Sequence, residues 1–269
     1  MSEFTPSSRG GTGEPLVLVH GFTSYWETWE PMLPALTAQF DVLAPTLLGH
    51  AGRAAVPDDV DLITALADDL EEQMDAAGMA TAHLAGNSLG GWLAMELMRR
   101  GRARSVVALS PAGGWRTHAD TKRTSRIFRF ANRMVRLSRP FARFAMRFGI
   151  LRRLGMRPFA LRADRLTPAQ ILGAMDGMMA VDVDRFISLV DNRLEPFTDP
   201  GVPALIAWSE YDRTIPSPRY SDLWREVAPF AEFRILPGVG HVPMIDNPPL
   251  VAATIIDWAG RPAISDKPA

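Results

Sequence analysis

The chain has 269 residues, 47% of them hydrophobic and 22% charged, which suits one large globular domain with a substantial buried core. It contains no cysteine, so disulfides, thiolate metal sites and cysteine nucleophiles are excluded. The net charge of −1 conceals a basic block: Trp115 to Arg165 holds 15 Lys and Arg against 2 Asp and Glu, leaving 14 basic and 28 acidic residues elsewhere.

Met1 to Gly13 is polar and glycine-rich, without the apolar centre of a signal peptide, and no apolar run approaches membrane-spanning length. A soluble cytoplasmic protein is the expectation. Leu16 to Val19 is a short apolar run of the kind that forms a buried parallel strand. Tyr25 to Phe40 carries apolar residues at helical spacing, interrupted by Pro31 and Pro34. Asp41 to Ala44 predicts another strand. Asp61 to Met79 predicts an amphipathic helix, with Leu62, Leu66, Leu70 and Met74 on one face. A strand ending near Asn87, a helix after it, and a strand over Ser105 to Ser110 follow.

From 114 to 201 the alternation stops and the chain reads as helical throughout. Strands resume at Pro203 to Trp208 and Glu232 to Leu236, with helices near Ser217 to Val227 and Pro249 to Ala259. Arg261 to Ala269 reads as a frayed tail. Strands alternating with helices predict an α/β fold, a mostly parallel sheet covered by helices on both faces. The expected division is a core of 1–113 and 202–269 with an all-helical insertion at 114–201.

The sharpest local signal is Gly86-Asn87-Ser88-Leu89-Gly90, a Gly-x-Ser-x-Gly between a strand and a helix. That order demands a tight turn, with glycines where a Cβ would strike the neighbouring backbone. Such a turn sets the Ser88 hydroxyl at a helix N-terminus, where free N–H groups favour negative charge. A serine nucleophile needs a base. Of the five histidines, His83 lies inside the strand and reads as core. His118 lies in the basic block, and His20 and His50 read as loop braces. His241 follows a predicted strand in a glycine-bearing loop and is the expected base. The carboxylate that orients it is expected to be Asp212, with Glu210 as runner-up. Asp246 is read as a cap of the last helix or a local partner. Two backbone N–H groups are expected to hold an oxyanion: that of Leu89, and that of Phe22 or alternatively Thr23.

His20-Gly21 after the first strand, the turn at Ser88, the Asp212 loop and the His241 loop, in the order serine, acid, histidine, resemble the α/β-hydrolase superfamily. The resemblance covers roughly Leu16 to Trp258, less the insertion. It implies a helical cap at 114–201 and a two-stranded antiparallel start, for which the residues before Leu16 leave little room. Relatives that cleave epoxides or carbon–halogen bonds carry aspartate as nucleophile. Serine at 88 implies acyl transfer instead: a cofactor-free, metal-free serine hydrolase of apolar esters, lactones or thioesters. Carbon–carbon hydrolysis, haloperoxidase or perhydrolase chemistry on the same triad, and a non-catalytic ligand-binding protein, are the alternatives.

Within the insertion, arginines recur every three or four residues from Arg123 to Arg147, interleaved with Phe, Met, Leu and Ile. This predicts a pair of amphipathic helices divided near Pro140. Three roles are open: a solvated outer face of a cap, a surface resting on anionic lipid, or recognition of an acidic substrate. Nucleic acid is not expected, because the rest of the chain is acidic and no binding motif is present. Trp26, Trp29, Trp92, Met175, Met178, Met179 and Phe186 suggest an apolar pocket for a small acyl substrate, with some of the insertion's methionines lining it.

Overall fold

The computed structural model describes residues 4–57, 60–189 and 194–262. Side-chain alternation along the strands sorts the core into two layers. Val17 and Val19 face one way and Leu16 and Leu18 the other. The same parity holds for Val106 and Ala108 against Val107 and Leu109, and for Ile206 and Trp208 against Leu205 and Ala207. Both faces being apolar, the sheet must be covered on both sides.

Among the described residues, seven strands form one sheet: β1 (Ser7–Gly10), β2 (Glu14–Val19), β3 (Phe40–Pro45), β4 (Ala82–Asn87), β5 (Ala103–Leu109), β6 (Ala204–Ser209) and β7 (Glu232–Leu236). Their order is β1-β3-β2-β4-β5-β6-β7. All neighbours are parallel except β1, which runs antiparallel to β3 with Ser8 opposite Ala44. The antiparallel start is thus reduced to one four-residue edge strand.

Ahead of β3 the predicted helix is broken, as its prolines require: a 3-10 helix over Trp26–Met32 gives way to α1 (Leu33–Thr37), with Pro34 in its first turn. The helix α2 (Leu62–Ala76) starts at Asp61, whose carboxylate accepts from the Thr64 N–H at 2.9 Å. Its Leu62, Leu66, Leu70 and Met74 pack with α3 (Leu89–Arg99) on one face of the sheet. The opposite face is covered by α1 and α10 (Pro248–Ala259) through Leu36, Val251, Ile255 and Trp258. Two short helices flank β7, α8 (Ser221–Val227) before it and α9 (Pro243–Asp246) after it.

Between β5 and β6 run α4 (His118–Ala145), α5 (Gly149–Gly155), a 3-10 turn at Ala163–Arg165, α6 (Pro168–Ala180) and α7 (Val183–Leu189). Thr117 and Asp120 form a capping box at the start of α4, and Thr167 and Gln170 do so for α6. The expected division near Pro140 is not made. One helix of 28 residues passes straight through that proline, and the break falls beyond Ala145. Pro140 and Arg136, whose carbonyl loses its partner, both lie on the exposed side, open to solvent.

Ties from α4 hold this helical layer together. Asn132 and Arg136 donate to the carbonyls of Met178 and Met179, and Arg139 grips the buried Asp176 through both oxygens at 2.7 and 2.9 Å. The tail expected at Arg261 to Ala269 lies, from residue 263 on, outside the described residues.

Candidate active site

Ser88 lies between β4 and α3 with φ 56° and ψ −115°, a left-handed strained conformation that a non-glycine residue keeps only when its surroundings enforce it. Three backbone bonds enforce it. The Ser88 N–H donates to Leu109 O at 2.9 Å, and its carbonyl accepts from the N–H groups of Trp92 and Ala112. A Cβ at Gly86 would lie 2.0 Å from Gly90 O, and one at Gly90 would lie 2.1 Å from Val19 O. The motif glycines therefore mark real close approaches. Leu89, the first residue of α3, carries an N–H without an intrahelical partner.

The carboxyl edge of the neighbouring strands supplies the other groups. Asp212, three residues past β6, is buried. Its Oδ1 accepts from the N–H groups of Thr214 and Ile215 at 2.9 and 2.8 Å, and its Oδ2 pairs with His241 Nδ1 at 2.7 Å. Glu210, the runner-up, points elsewhere: it is exposed and accepts from the Gly238 N–H at 2.8 Å. His241 is held in turn by Asn87, whose Nδ2 donates to the carbonyls of His241 at 2.9 Å and Leu109 at 3.1 Å. The residue before the serine thus pins the histidine loop to the serine's own strand.

Of the two roles expected of Asp246, the helix cap is not made, and the local pairing is made but extends well beyond the loop. Asn247 caps α10, by accepting from the Leu250 N–H. The buried Asp246 pairs locally, accepting from Gly240 N–H at 2.7 Å through one oxygen, and reaches farther with the other, accepting from the N–H groups of Leu161 and Arg162 at 2.8 and 2.7 Å. Val242 N–H adds a bond to Phe159 O. The histidine loop is therefore fastened to the stretch between α5 and α6. The acid loop is fastened to the same stretch, where Thr214 Oγ1 donates to Pro158 O at 2.9 Å. Neither Asn87 nor Asp246 was expected to serve the site.

Gly21 packs tightly on the serine, its Cβ position 3.3 Å from Ser88 Cβ. Phe22 comes next, then Thr23 with φ 64°. The buried His20 braces this loop: its Nε2 accepts from the Leu47 N–H, so Nδ1 carries the proton and donates to Gly21 O at 2.8 Å. Its ring meets that of His50 edge-on, and His50 in turn touches Phe22 and Phe186. The His50 Nδ1 bonds Leu48 O. His83 lies at the far end of β4 between Ser105 and Glu14, and His118 is exposed at the start of α4.

Burial pushes His20 well below the ordinary histidine value, with His50 adding to the effect, and burial lowers His50 to about 4. Both rings stay neutral in the fold where the unfolded chain would already take up protons. Their contribution is therefore complete above about pH 6.5 and lost as pH falls, by up to about 1.4 kcal/mol per pH unit and histidine. For His50 the loss levels off near pH 4. Urea-unfolding midpoints should accordingly fall between pH 7 and 4. His50→Asn, which keeps a donor for Leu48 O, should flatten that fall; an unchanged slope would show that His50 is not responsible.

Two cavities meet at Ser88. The larger, about 150 Å³, is lined by Ser88, His241, Gly21, Phe22 and Thr23 from below, and by Phe128, Met156, Phe159, Met175 and Met178 from the helical layer. The smaller, about 60 Å³, lies between Ser88, Leu89, Trp115, Phe186 and Ile215. Methionines of the insertion line the larger one, as expected. Trp29 belongs to the sheet's core instead. Glu27, Glu30 and Gln170 add polar groups to the larger cavity. Among the described residues, no three His, Cys, Asp or Glu side chains cluster so as to hold a metal ion. Chemically, the arrangement offers a strained hydroxyl at a helix N-terminus, a carboxylate-oriented imidazole in the same cavity, and apolar walls on two sides.

Residues 16–254 match the family described as "Alpha/beta hydrolase family". "Epoxide hydrolase EphH" of Mycobacterium tuberculosis is 32% identical over 200 residues, spanning 72% of this chain and 92% of that protein. "Lipase 3" of a Moraxella species is 25% identical over 239 residues, 87% of this chain and 74% of the lipase. Among solved structures, the enol-lactonase from Burkholderia xenovorans superposes with a TM-score of 0.70 at 18% identity, covering 95% of this chain and 96% of that one.

Proposed function

The chain belongs to the alpha/beta hydrolase family, and on that premise we propose that it is a serine hydrolase cleaving an apolar carboxylic ester, lactone or thioester through an acyl-enzyme. The observation that carries this reading is the buried His241–Asp212 pair at 2.7 Å, whose imidazole lines the same cavity as the strained Ser88.

In this reading the Ser88 oxygen attacks the acyl carbon while His241 Nε2 takes its proton. The N–H groups of Leu89 and Phe22 hold the developing oxyanion. Asp212 keeps the proton on His241 Nδ1 and stabilises the imidazolium. His241 then protonates the leaving oxygen or sulfur, and water repeats the sequence to release the acid. Residues 114–201 act as a cap over a core made by 1–113 and 202–269. The two cavities take the two sides of the ester, their walls being mostly aromatic, aliphatic and methionine side chains.

The similarity to an epoxide hydrolase does not favour epoxide opening, for a chemical reason. A carboxylate that opens an epoxide leaves an ester, which water can cleave at its carbonyl. A serine would leave an ether, which has no carbonyl to attack and would stall the enzyme after one turnover.

The test is covalent labelling. An alkyl fluorophosphonate should inactivate the protein with one adduct per chain, mapped by peptide mass spectrometry to Ser88. Hydrolysis of p-nitrophenyl butyrate should fall in step, and Ser88→Ala should take up no label. Hydrolysis that survives in Ser88→Ala, or an adduct on another residue, would overturn the reading.

A further inference from the structure

Phe130, Met134, Leu137, Phe141, Phe144 and Phe148 recur at alternating steps of four and three residues, so they form one straight stripe along α4 and just past its end. All six are exposed, Phe130, Phe141 and Phe144 at 68, 74 and 67%. Ile150, Leu151 and Leu154 of α5 continue the exposed apolar surface. The opposite side of α4 is the one that packs, through Phe128 and Ala142. The stripe leaves on the order of several hundred Å² of apolar surface in water, at or above the largest patch of an ordinary monomer.

Charge accompanies this stripe. Arg126, Arg133, Arg143 and Arg147 are exposed on one flank and form no ion pair among the described residues. From Thr121 to Arg157 there is no Asp or Glu at all. A second copy of the chain would suit the four-and-three spacing, but it would bring one arginine flank against another with no carboxylate between them. An anionic bilayer has both the apolar depth and the opposite charge. We propose that α4 and α5 form a membrane-docking face, lying in the plane of an anionic lipid surface with the phenylalanines among the acyl chains and the arginines at the headgroups.

The other side of α4 reaches the larger cavity through Phe128 and Val135, so docking would seat the cavity's roof against the bilayer. The proposal does not depend on ester hydrolysis, and its test uses the full chain carrying Ser88→Ala. That protein should sediment with vesicles of phosphatidylcholine containing a third of phosphatidylglycerol at low salt, and scarcely with phosphatidylcholine alone. The pair F141S/F144S should weaken partitioning by roughly tenfold or more. Replacing Arg126, Arg133, Arg143 and Arg147 by Gln should weaken it roughly fivefold per residue. Equal binding to both vesicles, none to either, or partitioning unchanged in F141S/F144S would overturn the proposal. So would a solution dimer that F141S/F144S converts to monomer, which would assign the stripe to a second copy.

Discussion

Asparagine at position 212 is expected to lower kcat for ester hydrolysis by roughly four orders of magnitude while leaving the fold intact. The reason lies in how the two carboxylate oxygens are used. Oδ1 accepts from the N–H groups of Thr214 and Ile215, and only Oδ2 meets His241. In Asp212→Asn the side-chain oxygen must stay with the two N–H donors, so the NH2 group faces His241 Nδ1. That nitrogen becomes an acceptor, and the ring proton moves to Nε2, the atom that in the proposed mechanism receives the serine's proton. The geometry survives and the chemistry does not. Thermal unfolding within a few degrees of the parent, with p-nitrophenyl butyrate turnover near background, is the expected pair of results. Turnover within tenfold of the parent would mean that Asp212 does not set the tautomer.

A large structural effect is expected at Gly90. A Cβ there would meet Val19 O at 2.1 Å and His20 O at 2.5 Å, and both are backbone atoms that no rotamer change can move aside. To admit Gly90→Ala, the start of α3 must back away from the end of β2. This separates Leu89 from the Gly21–Phe22 loop and slackens the turn at Ser88. The cost is expected at about 3 kcal/mol or more, and a fall in the melting midpoint of roughly 6–12 °C for a chain of this size. Activity should fall with it. Gly155→Ala is the control, because nothing lies within 4 Å of its Cβ position and its φ is ordinary; that variant should melt with the parent. Equal behaviour of the two would refute the packing argument.

The elbow was legible because its information is local. Two glycines around a serine, set between an apolar strand and an apolar helix, leave little room for another conformation. Asp212 could be told from Glu210 by the same kind of local chemistry: a carboxylate two residues before Thr214 can accept its loop's own N–H groups, and Glu210 instead reaches across to Gly238. The amphipathic rhythm announced the helical insertion.

Pro140 misled because a proline's effect on a helix depends on whether the carbonyl it orphans faces water, and that is decided by tertiary packing. The strand at Ser7–Gly10 was hidden because an edge strand carries no apolar pattern of its own and is recruited by β3. The tie from Asn87 to His241 and the ties from Asp246 to Leu161 and Arg162 were missed because these partners lie 154, 85 and 84 residues away in sequence. No spacing rule reaches so far.

The three bonds of Asp246 bear on how a substrate gets in. They join Gly240, next to His241, to Leu161 and Arg162 at the foot of the helical roof, while Thr214 anchors the acid loop to Pro158 close by. That corner is a fixed pivot, because lifting it would pull the imbedded imidazole out of register with its carboxylate. On the proposed reading of 114–201 as a cap, a gate would open at the opposite rim, where α6 rests on Tyr25 through Gly173 and Gly177. On that reading, entry and proton transfer would fall to different edges of one cap, and opening would leave the histidine and its carboxylate together.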